Sequence, residues 1–138
     1  QKPHMEDVWS ELFRFNSIDF RHVYLKKIAM VKEYKIAETN FKILHGILPC
    51  GVNLKRWKKV DSDKCSICNS EETITHLIYE CEYAMSLWSK VNEVFDISIT
   101  LEDVILGRNL CDEIYIIVSL IVFFIYKEWL ILSVNRAI

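Results

Sequence analysis

Four residues in the middle of the chain have the side-chain types and the spacing of a metal site. Cys65, Cys68, His76 and Cys81 form the pattern C-x₂-C-x₇-H-x₄-C. Three thiolates and one imidazole are a complete tetrahedral ligand set for Zn²⁺, and they leave no position for water or substrate. The pattern therefore predicts one structural Zn²⁺. The alternative is a set of free thiols buried in the core.

The remaining chemistry of the sequence is sparse. Cys50 and Cys111 lie outside the pattern and are expected to be small buried apolar residues. A Cys/His metal site of this kind is typical of a reducing compartment, in which disulfides are rare. The sequence contains no paired-aspartate signature of a polymerase, no glycine-rich phosphate loop and no hydrolase motif. We therefore expect no enzyme activity from these residues alone.

The composition is that of a mainly α-helical soluble domain. The chain has 138 residues, of which 51% are hydrophobic and 26% charged, with only three glycines and two prolines. This length corresponds to about one domain, and the scarcity of glycine and proline disfavours a turn-rich β architecture. We expect a single small helical domain, 1–138, built around a zinc knuckle at 61–82, with a basic helical part at 1–60 and C-terminal helices at 83–138. Because the first residue is Gln1, the chain is expected to be part of a longer protein.

Apolar spacing and capping residues predict where the helices lie. Asp19 is a candidate N-cap, Gly46 a candidate C-terminal stop, and Thr73 a candidate cap of a helix that carries His76. His76 and Cys81 are five residues apart, about 140° around an ideal helix, so both reach one ion only if this helix ends or bends near Cys81. The other helices are predicted at 4–13, 19–32, 36–45, within 49–57, and at 84–95, 101–106 and 111–134.

The predicted last helix contains an uncharged run of thirteen residues, I-Y-I-I-V-S-L-I-V-F-F-I-Y at 114–126. A membrane span needs about 20 apolar residues, and a run of this length is more often a buried helix. We therefore expect a helix covered by the core or by a partner, with no membrane contact. Ile121 and Phe124 are expected to lie in that core or interface.

The charges are unevenly distributed. The net charge is −2, but residues 21–59 carry ten basic and two acidic side chains, whereas residues 60–138 carry five basic and thirteen acidic ones. A local positive excess of this size attracts phosphate. Its densest part is a basic tip, consisting of Lys55, Arg56, Lys58 and Lys59, which are candidate contacts to nucleic acid. The alternative is a solvated basic face that meets the acidic half of the same fold.

Two segments carry a resemblance to a known family. F-K-I-L-H-G-I-L-P-C-G-V-N-L-K-R-W at 41–57, and C-S-I-C-N-S-E-E-T-I-T-H-L-I-Y-E-C at 65–81 followed by Trp88, resemble the zinc-binding region after the polymerase domain of LINE-type, non-LTR retrotransposon reverse transcriptases. The resemblance covers about 35–95, and I-Y-K-E-W at 125–129 resembles the family's closing helix. The matching residues are Leu48, Pro49, Leu54, Arg56, Trp57, Cys65, Cys68, Glu72, Thr73, His76, Leu77, Cys81 and Trp88.

One residue departs from the family pattern. Cys50 stands where the family usually has Thr or Ser, whose hydroxyl caps the short helix that follows. The turn before this helix is therefore expected to be weaker here. Trp57 could stack on an unpaired base, but its place beside Leu54 and Val60 in the family pattern favours packing under the knuckle.

The resemblance implies an accessory, non-catalytic part of a reverse transcriptase. Such a part grips template RNA or target DNA in target-primed reverse transcription, next to the polymerase domain of the parent chain. RNA or DNA and that polymerase domain are then the expected partners, in an intracellular and nuclear setting. The alternative is a zinc-structured protein-interaction module that docks through its apolar C-terminal helix.

Overall fold

A computed structural model describes residues 4–13 and 18–137. Within these ranges the chain is helical, with no named strand, which confirms the predicted mainly α-helical class. The seven α-helices are α1 (His4–Leu12), α2 (Phe20–Met30), α3 (Tyr34–Leu44), α4 (Gly51–Arg56), α5 (Glu82–Phe95), α6 (Leu101–Ile105) and α7 (Asp112–Ala137). A π-helical turn, His76–Glu80, precedes α5.

Local capping explains several helix ends. The Asp19 side chain accepts a hydrogen bond from the backbone N–H of His22 at the start of α2, as predicted. Helix α3 ends at Leu44, two residues before Gly46, whose φ of 72° lies in the left-handed region. The N–H groups of Gly46 and Ile47 donate to the carbonyls of Ile43 and Lys42, which is the Schellman pattern of a helix C-terminus.

One main apolar core draws residues from the beginning, middle and end of the chain. It contains Trp9 of α1, Leu44 of α3, Leu77 of the π turn, Trp88 of α5 and Val122 of α7. The indole N–H of Trp9 donates to the Leu44 carbonyl oxygen at 2.8 Å. The indole N–H of Trp88 donates to the Ile78 carbonyl oxygen at 2.9 Å. Both tryptophans therefore bury their rings without leaving the polar nitrogen unpaired.

Helix α7 is buried on one side only. Its inward stripe consists of Tyr115, Val118, Ser119, Val122, Ile125 and Tyr126, at the spacing of one helix face. Ile121 and Phe124 were expected to lie in the core or in an interface: Ile121 packs against the core and is partly buried, whereas Phe124 is 49% exposed and lies outside the core. Every face of this helix is apolar, so its sequence has no periodicity that distinguishes the inner face from the outer one.

The residues 112–132 of α7 are long and apolar enough to cross a membrane by length and composition, although only a third of the most apolar stretch is buried. A core helix passes the same test. Here Val118, Val122, Ile125 and Tyr126 of the inner stripe belong to the same core as Trp9 and Trp88. Inserting α7 into a bilayer would therefore remove Val122 and Ile125 from the core of the domain.

Helix α5 buries its apolar side only over its first turns, since Val94 and Phe95 at its end are exposed. One further prediction from the sequence needs correction. Cys111 was expected to be buried, but it is exposed because it lies in the loop just before α7. Cys50 is buried, as expected.

Candidate metal centre

The structure brings together all four residues of the Cys/His pattern. One ligand atom from each of Cys65, Cys68, His76 and Cys81 lies within 4.8 Å of every other. The Sγ atoms of Cys65 and Cys68 lie 3.8 Å and 3.7 Å from the Sγ atom of Cys81. Two Zn–S bonds of about 2.3 Å at the tetrahedral angle place their sulfur atoms about 3.8 Å apart. The cluster therefore already has the dimensions of a zinc site.

Cys65 and Cys68 are held by a tight turn. The N–H of Asn69 donates to the Cys65 carbonyl at 2.8 Å, and the N–H of Cys65 donates to the Ser70 carbonyl at 2.7 Å. Asn69 has a φ of 57°, a left-handed conformation that asparagine tolerates better than most residues. An antiparallel bridge between Lys64 and Glu71 closes the loop. This loop, residues 64–71, is the central part of the zinc knuckle expected at 61–82, and the name knuckle is kept for it alone below.

His76 and Cys81 reach the same point because the helix between them is widened. Thr73 Oγ1 accepts a hydrogen bond from the His76 N–H, which confirms Thr73 as the cap. The Cys81 N–H then donates to the His76 carbonyl at 2.7 Å, an i→i+5 bond of the π-helical type. This bond places residues five apart on the same side. Cys81 itself is extended, with φ −60° and ψ 144°, so the chain also turns there as predicted.

The environment of His76 is better explained by a role as a metal ligand than by a role as a core residue. Its Nε2 atom is buried and has no hydrogen-bond partner among the residues that the structure describes. Leaving a buried polar atom unpaired costs about 1–3 kcal/mol, so native proteins rarely do so without a reason. A cation bound by the three sulfur atoms and this nitrogen removes that cost. The donor set, of three thiols and one imidazole, is also the one that zinc prefers.

Burial makes the Cys81 thiol depend on a cation. It raises the pKa of Cys81 to about 12, and hydrogen bonding with Cys68 and the charge of Cys65 add to the increase. A metal ion stabilises the thiolate form of such ligands. The N-terminus of α5 also favours it, because the N–H of Glu82 points to Cys68 Sγ at 3.4 Å. Helix α5 therefore both supplies Cys81 and supports the negative charge of the site.

A buried glutamate fastens the knuckle to α4. The Glu72 carboxylate accepts a hydrogen bond from the Gly51 N–H at 2.8 Å. The Glu72 carbonyl accepts one from Val52, and its N–H donates to the Asp63 carbonyl. Glu72 thus supplies the N-terminal acceptor of α4 that Cys50 lacks, since Cys50 makes no side-chain capping bond. A Cβ at position 51 would lie 2.7 Å from the Asp63 oxygen, so only glycine fits.

Helix α4 leads directly to the basic tip. Lys55, Arg56, Lys58 and Lys59 are all exposed. The Arg56 guanidinium donates to Asn53 Oδ1 at 2.7 Å, and Asn53 in turn donates to the carbonyls of Gly46 and Leu48. Lys55 lies 3.9 Å from the Asp63 carboxylate, a long and exposed pair. Trp57 beside them is 39% exposed, so its ring is partly packed.

Lys58 occupies a position that usually belongs to glycine. The N–H groups of Lys58 and Lys59 donate to the carbonyls of Lys55 and Leu54, the same Schellman pattern that ends α3. At the equivalent place in α3 stands Gly46, whereas here Lys58 has a φ of 62°. A side chain in this conformation costs about 1 kcal/mol relative to glycine. The tip therefore keeps a positive charge at some cost in stability.

Two other basic residues of 21–59 form hydrogen bonds within the fold. Lys26 Nζ donates to the carbonyls of Gly107 and Leu110 at 2.7 and 2.6 Å. Lys27 Nζ lies 3.3 Å from the Tyr115 hydroxyl. Part of the positive excess thus holds α2 against the C-terminal half, through neutral oxygen atoms and not through acidic side chains. Of the tip residues, Lys55 approaches that half at the Asp63 carboxylate.

Sequence reasoning missed the mechanical role of Glu72 and the π turn. Glu72 is one of the residues of the family resemblance, but its partner, Gly51, is distant in sequence and has no side chain to reveal the contact. The π turn replaces an ordinary helix end with a single i→i+5 bond. The requirement that His76 and Cys81 share one ion was the available signal for it.

Residues 4–88, more than half of the chain, match the model of a family described as zinc-binding in reverse transcriptase. This range includes all four ligands, α1 to α4 and the first half of α5. No curated protein and no solved structure matches the chain.

Proposed function

The chain belongs to the family of zinc-binding domains of reverse transcriptases, and from this membership we propose that it is an accessory, non-catalytic domain that binds nucleic acid for such an enzyme. We propose further that the parent enzyme is of the LINE type. In that setting the domain grips template RNA or target DNA during target-primed reverse transcription, in the nucleus, beside the polymerase domain.

The observation that carries this proposal is the connection between the zinc site and the basic tip. Three backbone and side-chain hydrogen bonds at Glu72 fasten the knuckle to the first turn of α4 and to Asp63. Helix α4 is only six residues long, so its far end is held close to the zinc site. Fixed, exposed cations bind phosphate with less loss of side-chain freedom than cations on a mobile loop.

The binding we propose is largely electrostatic. The acidic half of the chain opposes it, and exposed lysines read no base sequence. We therefore expect non-specific affinity, with a dissociation constant of about 10⁻⁴–10⁻⁶ M at physiological salt, which falls further as salt is added. Each phosphate contact contributes about 0.7–0.9 to the log–log salt slope.

The test compares two double variants that remove the same charge from different places. Lys58→Gly/Lys59→Ala removes two charges from the tip, and the glycine suits the left-handed backbone there. Lys90→Ala/Lys127→Ala removes two exposed lysines from α5 and α7. Binding of an RNA and a DNA oligonucleotide is measured by fluorescence anisotropy over a range of salt, with zinc content as the control.

We expect the tip variant to lose up to about 1.4–1.8 of the salt slope, whereas the α5/α7 variant keeps the slope of the parent. If the two variants show the same affinity and the same salt slope, any loss of binding reflects total charge, and the tip is only a solvated face. If the protein without substitutions binds neither the RNA nor the DNA oligonucleotide at low salt, the proposed nucleic-acid function is wrong.

A second function is favoured by the outer face of α7. Ile116, Leu120, Phe124 and Ile131 are exposed and recur at the spacing of one helix stripe. Such a stripe on a soluble domain is typical of a docking surface. We propose the polymerase domain of the parent chain as its partner. Binding of that domain, lost in Leu120→Glu/Phe124→Glu, supports this function, and partition of the intact chain into detergent contradicts it.

A further inference from the structure

A second surface of the basic half has features that the phosphate-binding tip lacks. A groove of about 560 Å³ runs between α2 and α3. Aromatic side chains from both helices line it, together with aliphatic atoms, one lysine and one glutamate. The zinc ligands, in contrast, lie on the knuckle, the π turn and the start of α5. The lining residues that matter for the argument are Tyr24, Tyr34, Ala37, Glu38, Phe41 and His45.

The rings in this groove are exposed although they are large and apolar. Tyr34 is 74% exposed and Phe41 is 54% exposed. They are seven residues apart on α3 and therefore lie on the same face, about 10 Å apart along the helix axis. Ala37 lies between them, so a slot with a small floor separates the two rings.

The rings at the end of the groove are already ordered. The imidazole of His45 lies 4.3 Å from the Phe41 ring and is parallel to the Tyr24 ring, with an interplanar angle of 4° at 5.8 Å. The Tyr24 hydroxyl donates to the Glu6 carboxylate at 2.7 Å, which fixes its ring. A ligand that stacks here adds to an existing stack and orders few further side chains.

The charges around the groove favour an anionic ligand. Glu38 is paired with Lys42 at 2.9 Å, and the Glu33 carboxylate accepts from the Lys35 N–H at the start of α3. Both acidic side chains of 21–59 are thereby engaged, while the segment retains its excess of positive charge. Flat exposed rings in a positive surface suit single-stranded nucleic acid, because every unpaired base has a π-face and every linkage has a negative charge.

We propose that the groove between α2 and α3 binds unpaired bases of a single strand by stacking, chiefly on Tyr34 and Phe41. This inference rests on the proposed nucleic-acid function and adds a second contact to it. The tip contacts phosphates of a duplex or a strand, whereas the groove selects unpaired nucleotides. A junction of duplex and single strand would then engage both surfaces.

The probes that separate the two contacts are an oligodeoxyadenylate and an abasic strand of the same length. Both carry the same phosphates, but only the first has bases to stack. We expect the zinc-loaded protein without substitutions to bind the adenylate at least about fivefold more tightly than the abasic strand. This ratio corresponds to one stacked base. Anisotropy titration at a single low salt concentration measures this ratio.

The variant Tyr34→Leu/Phe41→Leu keeps apolar side chains of comparable size but removes the flat faces. Because both side chains are largely exposed, zinc content and melting temperature should match those of the parent. We expect this variant to bind both strands with the affinity of the abasic strand. Phe95→Leu, which removes an exposed ring from α5, is the matched control and should keep the preference for adenylate.

The possible results distinguish the groove from the tip. Equal binding of the adenylate and the abasic strand by the parent overturns the groove proposal and leaves the tip proposal intact. A preference that survives in Tyr34→Leu/Phe41→Leu also overturns it, because the bases are then stacked elsewhere. Absence of binding to either strand overturns both proposals.

Discussion

At the scale of single residues, the cysteines of the zinc site differ from the other cysteines in their distance from neighbouring sulfur atoms. Cys81 is buried and lies within 3.8 Å of two other sulfur atoms, whereas Cys111 is exposed and outside the cluster. We expect Cys81→Ser to abolish stoichiometric zinc, since an unionised hydroxyl is a poor ligand for zinc in a thiolate site. Metal analysis of the purified protein measures this.

Cys111→Ser is the matched control for that substitution. It makes the same chemical change at a position without a ligand role, and we expect full zinc content and an unchanged melting temperature. Full zinc content in Cys81→Ser would mean that Cys81 is not a ligand, and absence of zinc from the unsubstituted protein would mean that the thiols are free core residues.

Lys58 offers a second prediction at this scale. Because its backbone is left-handed, Lys58→Gly should raise the free energy of unfolding by about 1 kcal/mol, even though it deletes an exposed side chain. Urea denaturation of the zinc-loaded protein measures the change. Gly46→Ala, at the equivalent position of α3, should do the reverse, since a Cβ there also meets the Met5 side chain. A destabilised Lys58→Gly would contradict the Schellman geometry at the tip.

At the scale of elements, α7 shows that an apolar sequence does not determine which side of a helix is buried. Ile125 is 2% exposed on the inner stripe, while its neighbour Phe124 faces outward. Ile125→Ala should therefore cost about 2–5 kcal/mol of stability through lost burial and a cavity, and Phe124→Ala much less. Chemical denaturation of the two variants is the measurement. Equal losses would place both side chains in a covered interface.

Lys27 provides a pH-dependent test of how α2 packs on α7. Burial, and secondarily the neighbouring Lys26, lower the pKa of Lys27 to about 8 from its usual 10.5. Between these two values the unfolded chain binds more protons than the folded one, so stability should rise with pH through this window. The penalty is fully present below pH 8.

Lys27→Met should remove this dependence and should be more stable than the parent at pH 7. Urea denaturation at pH 7 and near pH 10 measures both effects, with Lys90→Met, an exposed lysine of α5, as the control. A parent whose stability does not change between these pH values would show that Lys27 remains hydrated.

The sequence predicted where the helices begin and end better than it predicted which side of each helix is buried. Asp19, Gly46 and Thr73 mark helix ends through bonds to residues three positions away, which a sequence pattern can reveal. The inner face of α7 and the link from Glu72 to Gly51 depend on residues distant in the chain, and no local pattern encodes them. The zinc ligands were found because metal coordination restricts both residue type and spacing.

At the scale of the whole molecule, the zinc site is part of the main core. Cys65 and Cys81 belong to the same apolar cluster as Trp9 of α1 and Val118 of α7. The π turn, which carries His76, also contacts both α5 and α7. Loss of the metal should therefore reach beyond the knuckle.

We expect chelation of zinc to unfold the domain in one cooperative transition. Binding of a structural zinc ion is worth about 10–16 kcal/mol in small zinc domains, as much as or more than the total stability of a typical domain. The measurement is far-UV circular dichroism with tryptophan emission during titration with a chelator. Trp9 and Trp88, in α1 and α5, report on regions outside the knuckle. Re-addition of Zn²⁺ should restore both signals together. If helicity persists while only the knuckle becomes protease-sensitive, the helices form a core that is independent of the metal, and the basic tip alone depends on zinc for its position.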